Sequence, residues 1–164
     1  MIVVGIDPGL TGAIGILGHR AEYITVLDIP TMQRMHAPRK GGVQNQVNPA
    51  ELERLLAEQL GHFDRNEVHV FIETPIAFPG QQIQSVASSF LTAGLIEGVI
   101  GARHYPHTLV APKEWKKGLG LSDSKEQARA KAIRLWPLAP LTRVKDHNRA
   151  EALLIAKYGN ERVA

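Results

Sequence analysis

Met1-Ile2-Val3-Val4-Gly5-Ile6-Asp7-Pro8-Gly9-Leu10-Thr11-Gly12 opens the chain, and the architecture is read outward from it. Ile2, Val3, Val4 and Ile6 are β-branched and apolar. The run is too short for a buried helix, so it predicts a buried strand. Asp7-Pro8-Gly9 closes it as a turn. No basic stretch precedes the run and Asp7 interrupts it early, so the segment is expected to be a strand and not a signal peptide. Ala13–Leu17 and Tyr23–Ile29 read as two more strands, with Gly18-His19-Arg20 as the turn between them. Three short strands joined by tight turns predict an antiparallel meander.

Residues 30–48 carry Pro30, Pro38, Gly41 and Gly42 with little periodicity, and read as a long mobile loop. Asn48-Pro49-Ala50-Glu51 is a helix start, with Asn as N-cap, Pro in the first turn and an acid after it. Leu52, Leu55, Leu56 and Leu60 follow at helical spacing. Val68–Ile72 predicts a fourth strand ending at Glu73-Thr74-Pro75. Gln82–Ala102 predicts a long helix in which Gly94 and Gly98 allow close approach. Tyr105–Val110 predicts a fifth strand and Pro112–Lys117 a helical turn. A basic helix over Asp123–Leu135 is introduced by Ser122 or Asp123. A last helix begins at Asp146, runs to about Tyr158 and stops at Gly159. Strands followed by strand–helix alternation predict an α/β fold, a five-stranded mixed sheet flanked by helices.

The chain has 164 residues, 44% hydrophobic and 21% charged, a length and composition expected of one domain over residues 1–164 with its own core. These values exclude disordered and fibrous classes. It has no cysteine, which excludes disulfides and thiolate metal sites and fits a reducing compartment. No run of about 18 consecutive apolar residues occurs, so no membrane partner is expected. The net charge of +3 is unevenly spread. Residues 1–102 hold 6 Lys/Arg against 10 Asp/Glu, net −4, and residues 103–164 hold 13 against 6, net +7. A second basic cluster, Arg34, Arg39 and Lys40, lies in a segment, 31–50, without an acid. Clustered basic charge suits a polyanionic partner, with solvated helix faces as the plainer alternative.

Against this background four acids stand out. Asp7 ends the first strand and Glu73 the fourth, so both are lifted out of a buried sheet at its rim. Asp146 and Glu151 open the last helix. Each has a plainer reading: Asp7 as an Asx-turn residue, Glu73 as the partner of a surface lysine, Asp146 as an N-cap, Glu151 as a solvated acid. Gathered at one rim, however, four carboxylates repel one another and require a cation. Hard oxygen donors select Mg²⁺ or Mn²⁺. Two such ions about 4 Å apart activate a water and stabilise the leaving oxygen of a phosphodiester.

Three segments in order along the chain resemble the RuvC family of Holliday junction resolvases, most closely its phage and organellar branch. They are Ile6-Asp7-Pro8-Gly9-Leu10-Thr11-Gly12, Ile72-Glu73-Thr74-Pro75 and Asp146-His147-Asn148-Arg149-Ala150-Glu151-Ala152-Leu153. Val110-Ala111-Pro112-Lys113-Glu114-Trp115-Lys116-Lys117 also looks like a segment common in phage members. The resemblance implies an RNase H-like fold, a two-fold homodimer, and Mg²⁺-dependent paired nicking of four-way DNA junctions. It implies two metals per site held by Asp7, Glu73, Asp146 and Glu151, with His147 as a further catalytic residue. It also places the protein in the cytoplasm of a bacterial or phage-infected cell. Many members carry two acids three residues apart on the last helix, whereas here Asn148 stands three before Glu151. On a regular helix Asn148 lies about 60° from Glu151, His147 about 40° and Asp146 about 140°. Asp146 therefore reaches the metals only from an N-cap position.

Arg34, Arg39, Lys40, Lys113, Lys116, Lys117, Lys145 and Arg149 are the expected DNA contacts. Most would touch phosphates and carry no sequence information. Lys125, Arg129 and, more loosely, Lys131 share a face of the basic helix. Trp115 and Trp136 suit either base stacking or the core, and Phe78 either a wedge into the junction or loop packing. Other readings are an RNA-processing nuclease of the same fold, a non-catalytic junction-binding module, and an actin-like kinase, for which the chain is too short.

Overall fold

The computed structural model describes residues 1–34 and 44–163. Its centre is a sheet of five strands, β1 (Ile2–Asp7), β2 (Ala13–Leu17), β3 (Tyr23–Asp28), β6 (Val68–Glu73) and β7 (His107–Val110), in the spatial order β3-β2-β1-β6-β7. The meander β1-β2-β3 is antiparallel, and β6 and β7 run parallel to β1. Each parallel step is made through a helix, as parallel pairing requires. One crossover contains α1 (Pro49–Leu60) and the other is α2 (Ile83–Ala102). After β7 come α3 (Pro112–Gly118), α4 (Lys125–Leu135) and α5 (His147–Val163). The mixed α/β fold is the one read from the sequence.

Strand periodicity sorts the sheet's side chains onto two faces. Val4, Ile6, Ile14, Ile16, Val70 and Ile72 point to α1 and α2, where Leu52, Leu56, Leu60, Ile96 and Ile100 complete one core. Val3, Ala13, Leu17 and Phe71 point the other way, to α5, with Trp115, Ala128, Ala132 and Trp136 behind it. Helix α5 is thus sandwiched between the sheet and α4, and Ala152, Leu153, Leu154, Ile155 and Ala156 are all fully buried.

Two glycines set how close α5 sits. Gly5 and Gly15 are register partners on β1 and β2. A Cβ on Gly5 would lie 2.2 Å from the Ala152 carbonyl oxygen, and one on Gly15 would lie 2.7 Å from the Leu153 nitrogen. With no side chains there, the helix backbone rests directly on the strands. Gly159, one turn before the end of α5, admits a neighbour in the same way, since its Cβ would lie 2.2 Å from the Phe71 ring. The expectation that Gly159 stops the last helix is therefore overturned. It lies inside α5, which continues to Val163, because close helix–sheet approach requires it.

Part of the 30–48 loop is a two-stranded antiparallel hairpin, β4 (Thr31–Arg34) with β5 (Gln44–Val47), closed by Asn48 N donating to Pro30 O at 2.8 Å. Its residues are almost all polar, so no apolar alternation marked it. Among its described side chains only Val47 is buried in the core. Asn48 caps α1, as read, by accepting from the Glu51 N–H at 3.1 Å. Helix α4 is capped by Ser124, not by Ser122 or Asp123. Ser124 Oγ accepts from the Gln127 N–H, while the Ser122 hydroxyl bonds the Gln127 side chain. Both tryptophans are buried, so neither is free for base stacking. Helix α2 is, by length and composition alone, apolar enough to cross a membrane, although no 18 consecutive residues are apolar. It buries Thr92, Ile96 and Ile100 and leaves Ile83, Phe90 and Leu91 exposed.

Candidate active site

Because β1 and β6 are parallel neighbours with Ile6 opposite Ile72, the next residue of each, Asp7 and Glu73, stands side by side at the carboxyl edge of the sheet. Alternation turns both toward α5. The loop after Asp7 is held tight by Gly9 N donating to Asp7 O and Gly12 N donating to Gly9 O, at 3.0 and 2.9 Å. A Cβ on Gly12 would lie 2.0 Å from the Asp7 carbonyl oxygen, so only glycine fits this turn. Since α5 is pressed against Gly5 and Gly15, its first full turn brings Glu151 over the same edge.

Asp7, Glu73 and Glu151 line one open pocket of about 420 Å³ with Phe78, Lys113, Lys116, Asp123, Lys125 and Asn148. Burial, then the charges of Glu73 and Glu151, push the Asp7 carboxyl up to about 8, against the pull of Lys125 and Lys116. Burial also raises Glu73, opposed by the Trp115 hydrogen bond, raised further by Glu151 and opposed by Lys116. The Trp115 indole donates from Nε1 to Glu73 Oε2 at 2.5 Å. Lys116 Nζ lies 3.6 Å from Glu151 and 3.7 Å from Asp123. Among the described residues no three His, Asp or Glu side chains form a ready-made metal cluster, and Lys116 supplies positive charge beside the acids. The donor set still fits a hard divalent cation. It consists of oxygen donors only, and the burial and, after it, the repulsion from Glu73 and Glu151 that raise Asp7 are both offset by such an ion.

The remaining site residues divide. Asn148, the residue in place of an acid, lines the acid pocket, and its Nδ2 donates to Thr11 O at 2.6 Å and Thr11 Oγ1 at 3.1 Å. Asp146 is not brought to the other acids. It is 2% exposed and belongs to a neighbouring pocket with Asp28, Arg143, Lys145 and His147. It closes the 3-10 turn Val144–Asp146 by accepting from the Arg143 backbone N, Nε and Nη2 at 2.7, 3.0 and 2.7 Å. The Arg143 guanidinium holds its carboxyl below the ordinary aspartate value. The N-cap geometry that was to carry Asp146 to the metals instead commits both its oxygens to Arg143.

His147 lines the neighbouring pocket and meets the acid pocket only through Lys125, with Nδ1 on Val144 O and Nε2 on Lys125 Nζ, each at 3.2 Å. A carbonyl only accepts and an ammonium only donates, so the proton is on Nδ1 and the lone pair on Nε2. Arg149 is not free for DNA. It forms a two-pronged ion pair with Asp28, Nε to Oδ1 at 2.6 Å and Nη2 to Oδ2 at 2.7 Å. Lys113 and Lys116 line the acid pocket and Lys145 the neighbouring one, whereas Lys117 is exposed on α3 and lines neither. Arg39 and Lys40 lie outside the described residues, as does the side chain of Arg34.

Sequence reasoning missed Asp123 and the roles of Lys125 and Trp115 here. The motif around Trp115 was visible, but nothing in it said that the indole would aim at Glu73. Lys125 arrives because Ser124 starts α4 at the mouth of the pocket.

A mixed sheet in the order 3-2-1-6-7, with a buried final helix delivering an acid beside those of two parallel central strands, is a RuvC-type α/β fold of the RNase H-like class. The likeness extends over almost the whole chain in two solved structures of RuvC from Thermus thermophilus. With RuvC in complex with Holliday junction substrate, the TM-score is 0.57 at 17% identity, over 96% of this chain and 91% of that one. With a second RuvC structure it is 0.54 at 15% identity, over 99% and 97%. No family model matches the sequence, and no curated protein sequence matches it.

Proposed function

We propose that this chain is a structure-selective endodeoxyribonuclease that resolves four-way DNA junctions by paired, symmetric nicks. One observation carries the reading: Asp7, Glu73 and Glu151 meet in one pocket whose walls hold Lys113, Lys116 and Lys125, on a fold shared with RuvC. Three acids alone would repel DNA, and three lysines alone would only bind it. Together they suit cutting a phosphodiester that the lysines hold.

In this reading Asp7, Glu73 and Glu151 hold Mg²⁺, or Mn²⁺ in its place, with two ions per site. When bound, the metal supplies activation of the attacking water and stabilisation of the leaving oxygen. Lys113, Lys116 and Lys125 receive the phosphate, and Lys117 and Lys145 extend the basic path on either side. His147, its Nδ1 held by Val144, offers Nε2 as the atom that takes or returns a proton beside Lys125. Water attacks phosphorus in line, the bond to the 3′-oxygen breaks, and the products are a 5′-phosphate and a 3′-hydroxyl. We assign Asn148 the position beside Glu151 that Asp146 was expected to fill. A homodimer would set two such sites on two symmetry-related strands. The exposed Ile83, Phe90 and Leu91 of α2 support that helix as its contact.

The test incubates a synthetic four-way junction, a linear duplex and an RNA hairpin with the protein and Mg²⁺, beside Asp7→Asn. Paired nicks confined to the junction and absent in Asp7→Asn are expected. Cutting of the hairpin instead would transfer the reading to RNA processing. Junction binding without cutting would leave a binding module.

A further inference from the structure

The two tryptophans are both buried, yet their indole N–H groups end in different places. An indole nitrogen donates and never accepts, so a buried one needs an acceptor. Trp136 donates to a backbone carbonyl, that of Ala21, at 2.9 Å. Such a bond satisfies the group and ties α4 to the sheet edge. Trp115 donates instead to a side chain of the acid pocket, Glu73 Oε2. Its ring cannot turn away, because it is 0% exposed and packed in the core with Val110, Leu119 and Tyr158. Helix α3 is held as well, since the Tyr158 hydroxyl donates to Glu114 at 2.6 Å. A rigid donor therefore meets a carboxylate on a flexible arm of two methylenes.

We propose that Trp115 is a positioning residue for Glu73, its fixed indole N–H holding Oε2 so that Oε1 is kept as the donor to a divalent cation shared with Asp7 and Glu151. The inference rests on the metal-dependent reading above and deepens it. The physical reason is preorganisation. A carboxylate whose rotamer is already set loses less freedom when it binds a metal, and outer partners of this kind govern metal affinity. Lys116, the next residue, stands by Glu151, so one turn of α3 steadies one acid and neutralises another.

Trp115→Phe keeps an aromatic ring and removes the donor, and Trp136→Phe does the same at the structural site. Mn²⁺ binding to each folded protein is measured by calorimetry, without DNA. Trp115→Phe is expected to raise the Mn²⁺ dissociation constant about 10- to 100-fold, with Trp136→Phe staying within about twofold of the unsubstituted protein. Its nicking should need correspondingly more metal and recover at saturation. Equal Mn²⁺ affinity in Trp115→Phe and the unsubstituted protein would overturn the proposal, as would equal weakening in both variants. Should Trp115→Phe fail to fold, Trp136→Phe decides alone. Its single remaining indole should change fluorescence on Mg²⁺ addition, saturating where calorimetry repeated with Mg²⁺ shows binding, and a flat signal across that range would overturn the proposal. An unsubstituted protein that binds Mn²⁺ yet cuts no junction would sink the nuclease reading and leave the Trp115 comparison decisive. One that binds no Mn²⁺ would end both.

Discussion

Replacing Asp7 by Asn should make the metal-free protein more stable at neutral pH while abolishing cleavage. Burial and the neighbouring Glu73 and Glu151 raise the Asp7 carboxyl from 3.8 to about 8. Between those values the folded protein keeps a proton on Asp7 that the unfolded chain gives up. Stability linked to Asp7 is thus fully present below 3.8 and is lost as pH rises toward 8. One proton of difference corresponds to about 1.4 kcal/mol per pH unit. Over pH 5 to 8 that is at most about 4 kcal/mol, and water entering an open pocket reduces it, so a fall of about 2 to 4 kcal/mol is expected. Asp7→Asn has no proton to exchange and should lose this slope. Glu73, also raised by burial, and the lowered Asp28 and Asp146 are common to both proteins, so the difference between the two profiles reports Asp7. The assay is urea unfolding in EDTA at pH 5, 6, 7 and 8, followed by circular dichroism. Added Mg²⁺ should stabilise the unsubstituted protein more than the variant. Parallel pH profiles for the two proteins would refute the reasoning, because Asp7 would then be neither desolvated nor crowded by other acids.

Gly5→Ala drives a Cβ into the α5 backbone and should cost about 3 kcal/mol or more in unfolding experiments. It should also slow nicking in whatever folded protein remains, since Glu151 rides on that helix. Arg149→Ala should lower stability by about 1 kcal/mol through loss of the Asp28 pair and leave the salt dependence of junction binding unchanged. By contrast, removing Lys113 and Lys117 together should reduce the salt slope by about one to two. Phe90→Asp, on the exposed face of α2, should yield a monomer in sedimentation with an unchanged circular dichroism spectrum.

Strand and helix order was legible because it depends on local pattern. The β-branched run Ile2–Ile6, the cap at Asn48 and the apolar run Val68–Ile72 each announce an element to their own neighbours. So were Asp7 and Glu73, because an acid that follows an apolar strand can only stand at its rim. The polar hairpin β4–β5 was not legible, since its strands lack the apolar alternation that marks a strand. Gly159 misled for a related reason. A helix-ending glycine and one that admits a neighbouring ring are the same letter.

The sequence by itself determined the α/β architecture and singled out Asp7, Glu73 and Glu151, because hydrophobic period, chain order and an acid beside an apolar run are one-dimensional properties. Only the tertiary structure decided which groups meet. The contact of α5 with Gly5 and Gly15 brings Glu151 to Asp7, while Asp146, five residues earlier, turns to Arg143. Arg149 is claimed by Asp28 from a distant strand, and the buried ring of Trp115 finds Glu73. These pairings join residues far apart along the chain, so no local pattern encodes them. They follow from the distance at which a helix backbone can rest on a sheet.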